Sequence, residues 1–419
     1  MLIVWIVADS MRKDYLAPKD ISVDTPAIDK LMVDSLVFHK TYSQASFTTF
    51  SFGSFLTGRY PWDIYGASNS NVVKDAWCQT DLPAFPSSIR TIFSLATEAN
   101  FDCASFTHPV LGKNYPYASW GLSASWKQYS GSALSPYAEP IINKIHEINS
   151  LGRNGLIFIR SSDTHIPWTA RDLMFRDGLE GKAWECVTQF VTAQILSGQQ
   201  NKVEEYIAKG IRRIDQELIK PILNCLLELG VYDESVVIMH SDHGDMLWDR
   251  LDIFENGGAV GHDIYPWQPV VHVPLMIKFP NILELVGRRM TLIELRDLYF
   301  VVSLLISAYA NTRNDTYRKG LFDDKIIFPS RTHALGMTLG PFSYCTDGQM
   351  KLVYNNETNN FSLFDTERDP LEENDILSEN PTTASILLKI LKKKRGGWAP
   401  PPMEHPKMLS MLKLLGYKD

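Results

Sequence analysis

Three apolar runs in this chain end on ionisable residues. Leu2–Ala8 runs into Asp9, Gly155–Arg160 into Asp163-Thr164-His165, and Ser235–His240 into Ser241-Asp242-His243. Carboxylates and imidazoles that meet at one place suit a divalent cation. Mixed oxygen and nitrogen donors suit Zn or Mn better than Ca. A fourth stretch, Ser46-Phe47-Thr48-Thr49-Phe50-Ser51, sets two adjacent hydroxyls before a segment that reads as a helix, closed by Gly58-Arg59-Tyr60-Pro61. A hydroxyl there faces unpaired backbone N–H groups and the positive end of the helix dipole, where an anion is stabilised. That placement suits a nucleophile attacking a phosphate or sulfate group. Each signal alone has a plainer explanation: Thr48 as a helix N-cap, the acids and histidines as satisfied core residues. Convergence of three strand endings and one hydroxyl is what singles out a candidate site.

Such convergence needs a particular scaffold. The three runs are unbroken and β-rich, as expected of strands covered on both faces. Helical patterns separate them: from Pro26 through Met32, and over residues 87–99, 179–197 and 201–229. Alternation of this kind implies an α/β fold with a mostly parallel sheet and helices on both faces. The C-terminal ends of its strands then share one edge, where open α/β sheets place their sites. Leu36–Tyr42 reads as a further strand that delivers the chain to the Thr48 helix, and Asp102–Phe106 and Val273–Phe279 as two more. Residues 67–85, 113–137 and 246–262 are loop-like and are expected to shape a pocket. After about residue 330 the texture changes to short β-like runs (Met350–Tyr354, Phe361–Phe364) and a helix near 383–394, with Gly396-Gly397 and Pro400-Pro401-Pro402 before a short terminal helix. We expect a catalytic domain over 1–330 and a smaller C-terminal α+β subdomain over 331–419.

The 419 residues are 45% hydrophobic and 21% charged, with a formal net charge of -7. A nucleic-acid partner selects basic faces and is not expected. The dense basic run Lys392-Lys393-Lys394-Arg395 reads as a solvated helix end. Five scattered cysteines without a C-x-x-C pair fit a reducing compartment. Leu2–Ala8 is too short to span a membrane and no basic segment precedes it. The expectation is a cytoplasmic protein with no membrane partner. Oligomeric state is not encoded in any of these features.

The motifs also carry a family likeness. The chain resembles the sulfatases of the alkaline phosphatase superfamily in Val7-Ala8-Asp9-Ser10-Met11-Arg12, Thr25-Pro26-Ala27-Ile28-Asp29, Leu56-Thr57-Gly58-Arg59-Tyr60-Pro61, Asp163-Thr164-His165-Ile166-Pro167-Trp168, Ser241-Asp242-His243-Gly244-Asp245, Gly261-His262, Val273-Pro274-Leu275-Met276 and Leu363-Phe364-Asp365-Thr366-Glu367-Arg368-Asp369-Pro370, all in family order. The resemblance implies an alkaline-phosphatase-like sandwich, a large mostly parallel central sheet flanked by helices. By the same resemblance Thr48 is the nucleophile, and Asp9, Asp242 and His243 hold a divalent metal that also contacts Thr48. His165 and His262 sit by the bound oxyanion or leaving group, and Arg59 buttresses the nucleophile turn. Asp163, His165 and His262 could hold a second metal, as in two-metal relatives.

Two departures matter. Sulfatases carry Cys or Ser in a C/S-x-P/A-x-R signature that is oxidised to formylglycine, whereas this chain has Thr48-Thr49-Phe50-Ser51-Phe52. Threonine cannot become that aldehyde, and relatives with threonine here resemble phosphodiesterases, phosphonate hydrolases and phosphoethanolamine transferases. Ser10 stands where a second acid is frequent. The expected activity is metal-dependent hydrolysis of small phosphate or phosphonate mono- or diesters through Thr48. Sulfuric ester hydrolysis, phosphoryl transfer and a non-catalytic binding role are the alternatives.

Overall fold

Every residue of the first strand is buried, which is what an unbroken apolar run demands of its surroundings. The computed structural model describes residues 1–16, 23–65, 89–107, 127–130, 137–166, 184–250, 260–262, 264–281, 285–311 and 331–396, with 168, 173, 176–179 and 328 between them. Strands β1 (Leu2–Ala8), β2 (Leu36–Tyr42), β3 (Asp102–Thr107), β4 (Lys127–Ser130), β5 (Gly155–Ser161), β6 (Val236–His240), β7 (Leu275–Lys278) and β8 (Gly287–Glu294) form one sheet in the order β4-β3-β5-β1-β6-β7-β2-β8. The five strands from β4 to β6 are mutually parallel. β7 runs antiparallel to both of its neighbours, and β8 is parallel to β2. The expected mostly parallel sheet is therefore present. Two differences stand out: the β7 run is reversed, and the supposed excursion over 113–137 supplies the edge strand β4.

Period-two alternation divides the core between the two faces. Ile3, Trp5 and Val7 of β1 enter one cluster, while Leu2, Val4, Ile6 and Ala8 enter the other. Helices α1 (Pro26–Val33), α4 (Ala138–Ser150), α5 (Trp184–Leu196), α6 (Gln200–Arg213) and α7 (Lys220–Glu228) cover the second face. A π-helical turn, Ile214–Ile219, joins α6 to α7. The first face is covered by α2 (Thr48–Thr57), α3 (Ile92–Glu98) and α8 (Asp297–Asn311). It is also covered by a four-stranded antiparallel sheet, β9 (Ala334–Met337) to β12 (Phe361–Asp365), with β10 (Phe342–Thr346) and β11 (Met350–Asn355) between, and by α9 (Pro381–Arg395). Leu335, Met337, Cys345, Leu352 and Leu363 of that sheet share a single apolar cluster with β1, β5 and β6. At about 1.5–3 kcal/mol per fully buried Leu, Ile or Phe, this shared cluster holds the small sheet firmly to the large one. Among the described residues no helix is long and apolar enough to cross a membrane.

Register places the strand ends together. Val7 of β1 sits opposite Arg160 of β5 on one side and His240 of β6 on the other. Asp9, Asp163 and Asp242 thus leave the sheet within a residue or two of one line.

Candidate metal and nucleophile site

Helix α2 enters this edge buried along its whole length. Its N-cap is Phe47, in extended conformation and without a side-chain capping bond. Thr48 is therefore the first helical residue, and its hydroxyl is not spent on capping. That hydroxyl lies 3.1 Å from His243 Nε2. Ser51, one turn on, donates its Oγ–H to the Asp242 carbonyl at 2.7 Å and ties the helix to the β6 turn. The helix ends at Gly58 with φ +72°, where a Cβ would also stand 2.9 Å from Tyr299.

His243 Nε2 lies 3.5 Å from Asp242 Oδ2 and 3.9 Å from Asp9 Oδ1. All three ligating atoms fall within 4.8 Å of one another, and all three side chains are buried. Donors about 2.1 Å from one cation stand about 3–3.5 Å apart, so the spacing matches a shared ion after small adjustment. Two further observations fit a cation. Asp9 Oδ1 and Asp242 Oδ2 are buried and, among the described residues, meet no hydrogen-bond partner, a costly state for carboxylate oxygens unless a cation takes them up. His243 Nδ1 lies 2.9 Å from the Gly244 carbonyl, which fixes the proton there and leaves Nε2 with a lone pair.

The charges follow the same logic. Burial pushes Asp9 up, but Arg160 and the imidazoles of His165, His243 and His262 outweigh it and hold its carboxyl well below the usual range. Burial raises Asp242 against the pull of His243, and the Asp9 charge raises it further. Burial lowers His243, more than the facing Asp242 restores, so its ring is neutral. Ser10 has a left-handed backbone (φ +58°) and sends its N–H to Asp242 Oδ1 at 3.3 Å. Ser241 Oγ accepts from the Met11 N–H at 2.8 Å and lies 2.7 Å from the Ala8 carbonyl, crossing from β6 to β1. Gly244 is required for packing, since a Cβ there would stand 2.0 Å from the Pro269 carbonyl oxygen.

Two imidazoles complete the group. His262 stacks on His243 with ring centroids 4.1 Å apart and sits 5.4 Å from the His165 ring. His262 Nδ1 is 2.5 Å from Asp245 Oδ1, and His165 Nδ1 is 2.7 Å from the Ile166 carbonyl. With both Nδ1 atoms so committed, proton exchange with a bound ester falls to Nε2 of each ring.

The structure corrects two expectations. Arg59 lies beyond the far end of α2 and is exposed. Ten helical residues span about 15 Å, so Arg59 does not reach the Thr48 end. Asp163, His165 and His262 are not gathered as a second ligand trio; among the described residues only Asp9, Asp242 and His243 form such a group. The reason lies in Asp163, whose Oδ2 accepts from Arg213 Nη1 and from Ser161 Oγ, each at 2.7 Å. Its charge is met by a guanidinium. Sequence reasoning also missed Arg160, which donates from Nη2 to Asp9 Oδ2 at 2.6 Å and lies over the Phe52 ring of α2. It missed Asp245 as the partner of His262 as well. A charged residue at the end of a buried apolar strand was the available signal for Arg160. Residues 67–85 lie outside the described residues, as do most of 113–137 and the stretch 251–259 within the third expected pocket loop.

Comparison with known proteins shows the family and the fold. The family model described as Sulfatase matches residues 2–298. The chain belongs to the sulfatase family. An ulvan-active sulfatase of Formosa agariphila is 22% identical over 311 residues, covering 67% of this chain and 48% of that protein. The chain thus spans about half the length of this sulfatase-family relative. Among solved structures, one from Bacteroides thetaiotaomicron, described under the metabolism of multiple glycosaminoglycans, has a TM-score of 0.67 at 17% identity, covering 98% of each chain. A phosphonate monoester hydrolase of Agrobacterium radiobacter has a TM-score of 0.64 at 14% identity, covering 94% of this chain and 95% of that one. At these identities the solved structures establish a shared fold.

Proposed function

We propose that this protein is a metal-dependent ester hydrolase that uses unmodified Thr48 as its nucleophile, acting on small phosphate or phosphonate mono- or diesters. The observation that carries the reading is the Thr48 hydroxyl at the first turn of a buried helix, 3.1 Å from a metal-competent histidine. Asp9, Asp242 and His243 would hold one divalent cation, Zn or Mn in preference to Ca given the imidazole. When bound, such a cation lowers the pKa of an adjacent hydroxyl and offsets charge on the oxyanion. The Thr48 oxygen, its proton lost to solvent, bonds to phosphorus as the ester oxygen departs with a proton from His262 or His165. Water then attacks the phosphothreonine, and the Thr48 hydroxyl is regained. Backbone N–H groups at the α2 N-terminus receive the equatorial oxygens. Asp245 orients His262 through Nδ1, the arrangement a proton donor needs.

A second reading, sulfuric ester hydrolysis, is favoured by the family match and by the Formosa relative. Matched p-nitrophenyl phosphate, phenylphosphonate, phosphodiester and sulfate substrates separate the two. Phosphothreonine trapped at residue 48 after acid quench, found by peptide mass spectrometry, is the expected result. Turnover of sulfate alone, or full activity in Thr48→Ala, would overturn the phosphoryl reading or the covalent step respectively.

A further inference from the structure

The turn that presents His165 is gripped from behind by one face of α6. Tyr206, Gly210 and Arg213 follow a spacing of four and three residues and so share that face. Tyr206 meets the Trp168 ring edge-on at 6.1 Å. A Cβ on Gly210 would stand 2.0 Å from the Asp163 carbonyl oxygen and 3.1 Å from that of Trp168, so the helix backbone touches the turn at both its ends. Glycine in a helix interior is otherwise unfavourable, and this close approach is what it permits. Arg213 Nη1 donates to Asp163 Oδ2 at 2.7 Å, both side chains being buried. Within the turn, His165 N–H reaches the Ser162 carbonyl at 3.1 Å and Trp168 N–H the His165 carbonyl at 2.7 Å. Trp168 is held at φ +56°. The Thr164 hydroxyl donates to the Asp9 carbonyl at 2.7 Å, so the same turn is pinned to the metal ligand. Directly after Arg213 the π-helical turn re-phases the helix, and Asp215 there accepts from the Ile28 N–H at 2.7 Å. The two halves of the helix thus serve different neighbours.

We propose that Gly210 and Arg213 are positioning residues that set where the Asp163–Trp168 turn presents the His165 imidazole. Neither touches the candidate metal ligands; both act through Asp163. The proposal rests on the reading of His165 as a group facing the ester's leaving oxygen, and it predicts a loss that depends on how much help that oxygen needs.

The test compares Gly210→Ala, Arg213→Gln and Arg213→Lys with the wild type on two esters of one acid. One ester has a p-nitrophenyl leaving group, which departs without a proton; the other has an alkyl leaving group, which needs one. Misplacing a proton donor should lower kcat/KM on the alkyl ester at least about 30-fold and on the p-nitrophenyl ester by less than about threefold. Arg213→Lys, which keeps the charge but not the planar fork, should recover part of the loss. Arg213→Gln takes away the guanidinium that meets the buried Asp163 charge, so the double variant Asp163→Asn/Arg213→Gln is included to guard the fold; it should show the same split between esters. An equal loss on both esters, or no loss on the alkyl ester, overturns the proposal. Absence of any ester turnover in the wild type would instead be a failure of the functional reading. In that case the positioning is judged from the histidine ring signals in a carbon–proton NMR spectrum, with His165 assigned by its disappearance in His165→Gln. The His165 signal should move in Gly210→Ala and in the double variant while that of buried His240 stays. An unmoved His165 signal overturns the proposal there too.

Discussion

Asp242→Asn should make the metal-free protein more stable and the metal-loaded protein less so. Without a cation, Asp9 Oδ1 and Asp242 Oδ2 face the same small volume, buried and without hydrogen bonds from the described residues. At the 4.8 Å outer limit of their separation, two unit charges at an effective dielectric of about 20 repel by about 3.5 kcal/mol. Proton uptake by Asp242 relieves part of this. Asparagine keeps Oδ1, which accepts from the Ser10 and His243 N–H groups at 3.3 and 3.1 Å. It replaces Oδ2, 3.5 Å from His243 Nε2, with a neutral N–H donor and so removes the charge that opposes Asp9. We therefore expect the metal-free variant to gain about 1–3 kcal/mol over metal-free wild type. For a chain of 419 residues, at about 2.1 cal/mol/K per residue, that is a rise of about 1–3 °C in Tm. Zinc or manganese at about 1,000 times Kd should add about 4.1 kcal/mol to the wild type and little to the variant. Thermal and urea unfolding in chelator and in metal reads both numbers, and the two stability rankings should cross. A metal-free variant less stable than metal-free wild type would refute the idea that these carboxylates are held apart for a cation. So would an undiminished metal-induced rise in the variant.

Thr48→Ala should lower kcat at least about a thousandfold with metal content unchanged, while Thr48→Ser, which keeps the hydroxyl, stays within about tenfold; steady-state kinetics beside metal analysis checks both. Arg59→Ala should alter kcat/KM by less than about threefold, because that side chain is exposed beyond the far end of α2; a large loss would place it in the site after all. The protein should also lose stability on mild acidification through His240, whose ring is fully buried and accepts from Trp5 Nε1–H at 2.8 Å. Burial lowers its pKa to about 4, so the unfolded chain takes the proton first. Stability is full above about pH 7 and falls by about 2 kcal/mol by pH 5. Urea unfolding across that range, with His240→Gln showing a shallower slope, is the check.

What could be read in the chain divides along physical lines. β1, β5 and β6 were readable because strands buried on both faces must be apolar throughout, and their endings followed because parallel strands share an edge. Thr48, Asp9, Asp242 and His243 meet for that reason, with β2 running alongside to deliver α2. β9 and β10, by contrast, are short strands in a small antiparallel sheet, and Ala-Leu-Gly-Met at 334–337 carries neither alternation nor β-branched residues. Their place is set by the apolar cluster they share with the main sheet, a long-range effect that no local window contains. The misread second metal has the same origin. Asp163 looked like a ligand from its own strand, and what decides its state is Arg213, fifty residues on in an amphipathic helix where an arginine reads as solvent-facing. Arg160 shows the converse. It was visible as a charge in a buried strand, yet its role depends on Asp9 lying just beyond the end of a strand 151 residues away. Local pattern locates the groups able to do chemistry, and tertiary partners decide which of them stay available to a cation. In this chain the arginines at 160 and 213 make that selection, holding Asp9 charged at the candidate ion site and withdrawing Asp163 from it.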